Sequence, residues 1–305
     1  MSQRVLILGA DNFVGKRVTT ALTQTDWAQP FAVSNDTLQA SIDTADCVIS
    51  CTMGQPSHIE AIARTLFTAA KGLVKAPRIV HVSSMTVYGS ASGLVDENTP
   101  LKSDLGTYAA ARIAAEQLAS SCSRVVTLRP GCEYGPDCTA WSERVARWLM
   151  AKRLGDLGAA GDGYCNLLFI DDLVTAIIAA AKLPGIEGQA FNLGTSEVLT
   201  WNDYFVRFAK ALGAVPVKRI NQRRLRVETK LLAPPLKIME LVFGARKSQQ
   251  WALPPAIPPS VLSVCSQEIK MNVSKAESML GMHWTPVDAG LARTANWTHS
   301  QRKSR

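Results

Sequence analysis

The first fifteen residues constrain the fold of this chain more than any other segment. Val5–Leu8 is a short apolar run that ends at Gly9, which is typical of a strand buried on both faces of a parallel sheet. The turn Gly9–Gly15 then leads into a helical pattern, in which valine or leucine recurs every four positions from Val14. A strand, a glycine-containing turn and a helix in this order predict backbone N–H groups that face a phosphate.

Apolar runs and helical patterns continue to alternate over the first two thirds of the chain. We expect strands at Phe31–Val33, Asp46–Ser50, Arg78–Ser83, Val125–Leu128 and Ala190–Leu193. We expect helices at about Ser57–Ala70, Thr107–Ser120 and Asp171–Lys182. This alternation predicts an α/β fold with a Rossmann-type, doubly wound parallel sheet.

The last third is less regular. Thr200–Asp203 has the residue types of a capping box that opens a helix to about Leu212. Paired prolines at 254–255 and 258–259 indicate a loop, and Ser274–Leu280 is a short helical pattern that ends at Gly281. These features indicate helices joined by irregular segments, without the regular alternation of the first two thirds.

The net charge of +8 is concentrated in two places, residues 218–230 and the C-terminal tail. A nucleic-acid-binding protein would spread basic residues over a working face with aromatic residues between them, so we expect no nucleic-acid partner. No apolar run is long enough for a membrane span. The seven cysteines include no CxxC pair, so we expect no metal site and a cytoplasmic location.

Several short motifs together resemble the extended short-chain dehydrogenases/reductases, the NAD-dependent epimerase/dehydratase family. In chain order they are Gly9-x-x-Asn12-x-x-Gly15, Ser83-Ser-Met-Thr-Val-Tyr-Gly89, Tyr108-Ala-Ala-Ala-Arg112, Leu128-Arg-Pro-Gly-Cys-Glu-Tyr-Gly-Pro136, Phe169-Ile-Asp-Asp-Leu173 and Leu280-Gly-Met-His-Trp-Thr-Pro286. Each motif is weak alone, but their order matches the family over nearly the whole chain.

The resemblance implies a dinucleotide-binding domain of residues 1–130 plus about 165–195. It implies a smaller C-terminal α+β substrate domain of about 131–164 and 196–305, a small-molecule substrate and a homodimer. The cofactor is NAD or NADP, and the residues expected to bind it are Gly9, Asn12, Phe13, Val14, Gly15, Ser34, Asn35, Tyr108 and Arg112.

The resemblance also implies three catalytic residues. Ser84 takes the place of the hydroxyl that hydrogen-bonds the reacting oxygen, Tyr108 that of the acid/base, and Arg112 stands where the family has lysine. Tyr108 and Arg112 are four residues apart and therefore share one helix face. A cation held there favours the phenolate form of the tyrosine.

Two departures concern the cofactor site. Asn12 replaces the middle glycine, and we expect it to take a left-handed conformation, which asparagine tolerates best after glycine. Only eleven residues, Asn35–Ala45, separate the second and third strands, so we expect the sheet to lack its usual edge strand. Both departures predict weak cofactor binding.

The preference for NADP rests on the end of the second strand. Ser34 and Asn35 stand where NAD-dependent members carry an acidic residue, so no carboxylate repels a 2′-phosphate. Lys16 or Arg17 would be its partner.

Three features bear on the substrate. Met85 and Thr86 replace the Asp-Glu pair of the family's dehydratases, which argues against dehydration. Cys165 stands where nucleotide-sugar enzymes have an arginine on the diphosphate, although Arg223 or Arg224 could substitute. The apolar segment 231–243 is either a packed helix or a lid for a lipophilic substrate.

We therefore interpret the chain as an NAD(P)-dependent oxidoreductase that interconverts a secondary alcohol and a ketone on a non-nucleotide, lipophilic substrate. Two alternatives stay open. The first is a nucleotide-sugar epimerase, and the second is an NAD(P)-binding protein with little or no catalysis.

Overall fold

A computed structural model describes residues 2–221, 223, 225, 227, 228 and 256–303. The strands are β1 (Gln3–Leu8), β2 (Ala28–Val33), β3 (Cys47–Ser50), β4 (Arg78–Val82), β5 (Gly93–Val95), β6 (Val125–Pro130), β7 (Cys132–Tyr134), β8 (Leu167–Phe169), β9 (Ala190–Leu193) and β10 (Ile269–Met271). The α-helices are α1 (Phe13–Thr23), α2 (Asn35–Ser41), α3 (Pro56–Lys71), α4 (Thr107–Ala119), α5 (Arg144–Met150), α6 (Ile170–Lys182), α7 (Trp201–Ala211), α8 (Pro259–Cys265), α9 (Ser274–Leu280) and α10 (Val287–Lys303). Single 3₁₀ turns lie at Ile42–Thr44, Met85–Tyr88 and Gly158–Gly161, and a π turn lies at Thr139–Glu143.

The chain divides into two compact units. The first unit comprises Met1–Gly131, Leu168–Ser196 and Met271–Trp284, and the second comprises Cys132–Leu167, Glu197–Lys270 and Thr285–Arg305. The first contains the large sheet. The second contains α5, α7, α8 and α10, with an aromatic cluster in which the ring centroids of Trp201 and Trp141 are 4.6 Å apart and the rings are tilted by 41°.

The large sheet has six strands in the order β2-β1-β3-β4-β6-β9, and all of its strand pairs are parallel. The predicted α/β doubly wound class is confirmed. The expected loss of the edge strand is confirmed as well, because β2 is the edge of this sheet among the described residues. The short connection after β2 holds only α2 and one 3₁₀ turn.

Both faces of the sheet are covered, which is why its strands read as continuous apolar runs. Successive side chains of β1 alternate between the faces, since Val5 and Ile7 join one core cluster while Leu6 and Leu8 join the other. Helices α1 and α6 cover the first face. Helices α2, α3 and α4 cover the second.

The expected helices and strands of the first two thirds are all present, with ends shifted by a few residues. The capping box at Thr200 is present too, since its hydroxyl accepts the Asp203 N–H at 3.1 Å. Sequence analysis did not predict α10. The apolar segment 231–243 and Arg224 lie outside the described residues. Within the described part of the chain, no helix combines the length and the apolar character needed to cross a bilayer.

Candidate functional site

The turn between β1 and α1 requires glycine at both of its ends. Gly9 has a φ of +76°, a left-handed conformation that favours glycine. A Cβ on Gly15 would lie 2.0 Å from the carbonyl oxygen of Gly9, so only glycine allows the helix to approach the strand this closely. The N–H groups of Phe13 and Val14 have no acceptor among the described residues, as expected for the first turn of a helix. The turn therefore fits a dinucleotide pyrophosphate.

Asn12 does not adopt the left-handed conformation expected of it. Its φ and ψ are −82° and 175°, the extended geometry of a helix N-cap. The side-chain oxygen accepts the Gly15 N–H at 2.9 Å, and the amide nitrogen donates to the Cys51 carbonyl at 2.6 Å. The expectation was wrong because the asparagine caps α1 instead of making the turn.

The end of β2 places the residues expected to meet the adenosine ribose. Ser34 is the N-cap of α2, with its hydroxyl 3.1 Å from that of Thr37, and Asn35 is the first helical residue. Arg17 is directed elsewhere, since its Nη1 lies 3.5 Å from the Asp171 carboxylate on α6. Lys16 is exposed.

Tyr108 and Arg112 meet on α4 as their spacing predicts. Arg112 donates to the phenolic oxygen of Tyr108 from Nε at 3.1 Å and from Nη2 at 2.9 Å. Its Nη1 donates to the Val82 carbonyl at 3.0 Å, which ties the guanidinium to the last residue of β4. Arg112 is only 2% exposed, so its charge is held in a fixed place beside the phenol.

Ser84 follows β4 by two residues and caps the 3₁₀ turn Met85–Tyr88. Its Oγ accepts the Thr86 N–H at 3.3 Å. The hydroxyl hydrogen has no acceptor among the described residues, so it is available to a ligand. Val82, the anchor of Arg112, lies two residues before Ser84, and α4 packs against the 3₁₀ turn. The structure therefore brings the three expected catalytic residues to one end of β4.

A buried network that sequence analysis missed lies beside these residues. Ser83 donates to Glu116 Oε1 at 2.5 Å, and Arg129 donates to the same carboxylate from Nη2 at 2.7 Å. Arg129 Nη1 also donates to the Tyr88 hydroxyl at 2.9 Å. Glu116 lies on the same helix as Tyr108, so the network joins α4 to both ends of the segment that contains Ser84.

The surroundings of Arg129 and Tyr88 in this network shift the pKa values of both side chains. Burial works against the charge of Arg129, but its bonds to Glu116 outweigh burial and raise the pKa of the guanidinium above its usual range. Burial raises the pKa of Tyr88 to about 12, although Arg129 opposes this shift. The Tyr88 hydroxyl donates to Asn192 Oδ1 at 2.6 Å. Tyr88 therefore has a structural role. Its position in the same motif as Ser84 was the sequence feature that could have identified it.

His81 on β4 is a second buried polar residue that sequence analysis missed. Neither ring nitrogen has a hydrogen-bond partner among the described residues, and the ring meets Phe67 edge-on at 5.4 Å. Burial lowers the pKa of His81 to about 3, and the nearby charge of Arg112 adds to the shift. The imidazole is therefore neutral at physiological pH.

Cys165 in the second unit is a small buried thiol, 2% exposed. Burial raises its pKa well above the ordinary value, so the side chain is uncharged. This position supplies no cation for a diphosphate.

The first unit is a doubly wound α/β fold, and Ser84, Tyr108 and Arg112 lie at the carboxyl end of its strand β4. Residues 59–194 match the NAD dependent epimerase/dehydratase family. This match covers less than half of the chain and agrees with the family that its motifs resemble. Among curated proteins, none matches it significantly.

Solved structures of the same fold align along nearly the whole chain. UDP-glucuronic acid 4-epimerase from Bacillus cereus, in complex with UDP-glucuronic acid and NAD, has a TM-score of 0.70 at 17% identity, over 98% of this chain and 99% of that one. UDP-glucose 4-epimerase from Thermotoga maritima, with UDP-glucose, has 0.70 at 14% identity over 98% and 99%. RMD from Pseudomonas aeruginosa, complexed with NADPH, has 0.71 at 16% identity over 98% and 100%.

Proposed function

We propose that the chain is an NAD(P)-dependent enzyme that oxidises a secondary alcohol, or reduces the corresponding ketone, at a site built from Ser84, Tyr108 and Arg112. The observation that carries this proposal is the double hydrogen bond from Arg112 to the Tyr108 hydroxyl. A guanidinium fixed there stabilises negative charge on the phenol oxygen, which an acid/base must hold between proton transfers.

Each residue of the site has a separate role at the reacting carbon. A bound nicotinamide supplies hydride transfer. Tyr108 takes the proton of the alcohol or returns it to the ketone oxygen. Ser84 donates its hydroxyl hydrogen to that same oxygen and so orients it. Arg112 favours the charged form of Tyr108 through its two N–H groups, while Val82 keeps the guanidinium in place.

The turn from Gly9 to Gly15 would hold the pyrophosphate through the N–H groups of Phe13 and Val14. Ser34 and Asn35 would meet the adenosine ribose. No carboxylate is contributed by these two positions, which supports a preference for NADP over NAD.

We propose nucleotide-sugar epimerisation as the overall reaction. Such a reaction uses the same chemistry twice, since the alcohol is first oxidised and the ketone is then reduced from its other face. Support comes from the family match and from the similarity of fold to two epimerases crystallised with UDP-sugars. This choice replaces the non-nucleotide substrate that we favoured from the sequence.

A second candidate is net oxidoreduction of a non-nucleotide substrate. Cys165 favours it, because a buried neutral thiol cannot pair with a diphosphate. Arg223 or Arg224 would have to supply that charge if the substrate is a nucleotide sugar.

One substrate panel separates the two candidates. The purified chain, with NAD or NADP, is incubated with UDP-glucose, with UDP-glucuronic acid and with apolar secondary alcohols. An epimerase forms the 4-epimer without net production of reduced cofactor, and NMR of the sugar detects it. Net reduction of cofactor with an apolar alcohol, and no epimer, would support the second candidate. Absence of turnover on the whole panel, with cofactor bound, would favour a binding protein.

A further inference from the structure

The side chain of Asn12 makes two hydrogen bonds to different elements of the first unit. Its oxygen accepts the Gly15 N–H at 2.9 Å and its nitrogen donates to the Cys51 carbonyl at 2.6 Å. We call this pair of hydrogen bonds the Asn12 bridge. It runs from the first turn of α1 to the residue that follows β3.

The position of the bridge in the sheet gives it a consequence. Strand β1 lies between β2 and β3, and α1 and α3 cover opposite faces of the sheet. The boundary between β1 and β3 is therefore the topological switch point, at which the connecting helices change from one face of the sheet to the other. In open α/β sheets, ligands bind in the crevice at the carboxyl ends of the strands at this point.

The bridge also occupies hydrogen-bonding groups. The N–H groups of the first helical turn are the donors that a phosphate would use. Asn12 takes the donor of Gly15, which leaves those of Phe13 and Val14. The crevice is also tight at the start of the turn, since a Cβ on Gly9 would lie 2.6 Å from the Asn12 amide nitrogen.

We infer that Asn12 limits the affinity of the chain for dinucleotides, because its carboxamide competes with the pyrophosphate for the Gly15 N–H and spans the crevice that the pyrophosphate enters. This inference rests on the proposed function. It predicts that removal of the Asn12 bridge lowers the thermal stability of the free protein and raises its affinity for a dinucleotide.

Two variants separate the two hydrogen bonds of the Asn12 bridge, and a third variant is a control. Asn12→Gly removes both hydrogen bonds. Asn12→Ser keeps a side-chain oxygen for the Gly15 N–H but is too short to reach Cys51, so it tests the span across the crevice alone. Thr200→Ala is the matched control, because it removes an N-cap from α7 in the second unit and should lower stability without any change in dinucleotide affinity.

The experiment is calorimetric titration of each protein with NADH, NADPH and ADP-ribose, together with the thermal midpoint of the free protein. Asn12→Gly should bind all three about tenfold more tightly, which corresponds to about one hydrogen bond, and its free form should melt at a lower temperature. Asn12→Ser should show an intermediate gain.

Two failures are distinguishable. If the wild-type protein binds a dinucleotide and Asn12→Gly binds it equally or more weakly, the inference is overturned and the proposed function stands. If neither the wild-type protein nor Asn12→Gly binds any of the three ligands, both the inference and the proposed function are overturned.

Discussion

Arg112 donates two hydrogen bonds to the hydroxyl of Tyr108, at 3.1 and 2.9 Å, and a third to the Val82 carbonyl at 3.0 Å. The guanidinium thus links the proposed acid/base on α4 to the strand that leads to Ser84. A lysine ammonium at this position would have to choose among these acceptors, since its donors radiate from one nitrogen. We propose that the site is rebuilt around the planar group of this arginine.

Replacement of Tyr108 by phenylalanine tests the acid/base. The ring and its packing are retained while the proton donor is lost, so kcat should fall by about 10²- to 10⁴-fold. Cofactor affinity should change little, and calorimetric titration checks this. Tyr164→Phe in the second unit is the matched control and should retain activity. An unchanged kcat in Tyr108→Phe would require another proton donor.

Replacement of Arg112 by lysine tests the rebuilt site. We expect a lower kcat, because one ammonium cannot reproduce two parallel bonds to the phenol and one to Val82. Arg112→Ala should reduce both kcat and cofactor affinity, since it removes the charge altogether. Steady-state kinetics of the two variants provide the measurement. If Arg112→Lys were as active as the wild type or more active, the arginine would be only a tolerated substitute.

The buried pair of Glu116 and Arg129 should contribute strongly to stability. Both side chains are 7% exposed, so Glu116→Gln leaves a buried cation without its counter-charge and should cost about 3–5 kcal/mol. Glu197→Gln is the control, since its pair with Arg207 is on the surface and should cost about 1 kcal/mol or less. Urea unfolding followed by circular dichroism compares them. Equal losses of unfolding free energy in the two variants would contradict the stabilising role that we assign to the buried network.

His81 should make the free energy of unfolding fall in acid. The folded state holds the pKa of His81 at about 3, below the ordinary value of 6.5, so the unfolded chain binds a proton that the folded chain refuses. The resulting stability is complete above about pH 6.5 and is lost progressively as the pH falls towards 3. Unfolding curves between pH 7 and pH 4 measure the slope.

His81→Leu should flatten that slope and unfold less readily than wild type near pH 5. His58→Gln, which removes a histidine on the surface, is the control for the loss of an imidazole as such. If His81→Leu loses stability with acid as steeply as wild type does, other groups must account for the acid sensitivity.

Much of the first unit could be predicted from local patterns. Three patterns depend only on neighbours in the chain: the β1 run, the glycine turn and the Val14 spacing. They predicted the strand, the turn and the helix correctly. The short Asn35–Ala45 connection predicted the missing edge strand, because chain length alone limits what can cross over. The Tyr108–Arg112 contact followed from the helical period.

The remaining features depend on contacts between distant residues. The conformation of Asn12 was set by the Cys51 carbonyl, 39 residues away, and the residue type alone suggested another backbone geometry. Glu116 and Arg129 lie on different elements, and charged residues are rarely buried without a partner, so their burial could be recognised only from the contact that the fold creates. Helix α10 is mostly polar, so its sequence offered little periodicity to detect.

Titration of the wild-type chain with NADH and NADPH tests the central claim most directly, because every part of the proposed mechanism requires a bound dinucleotide. We predict saturable binding of both, with NADPH at least as tight as NADH and dissociation constants of about tens of micromolar, or about −6 kcal/mol. Nanomolar binding of NADH with none of NADPH would contradict the preference that we assign. No saturable binding of either ligand would contradict the account as a whole.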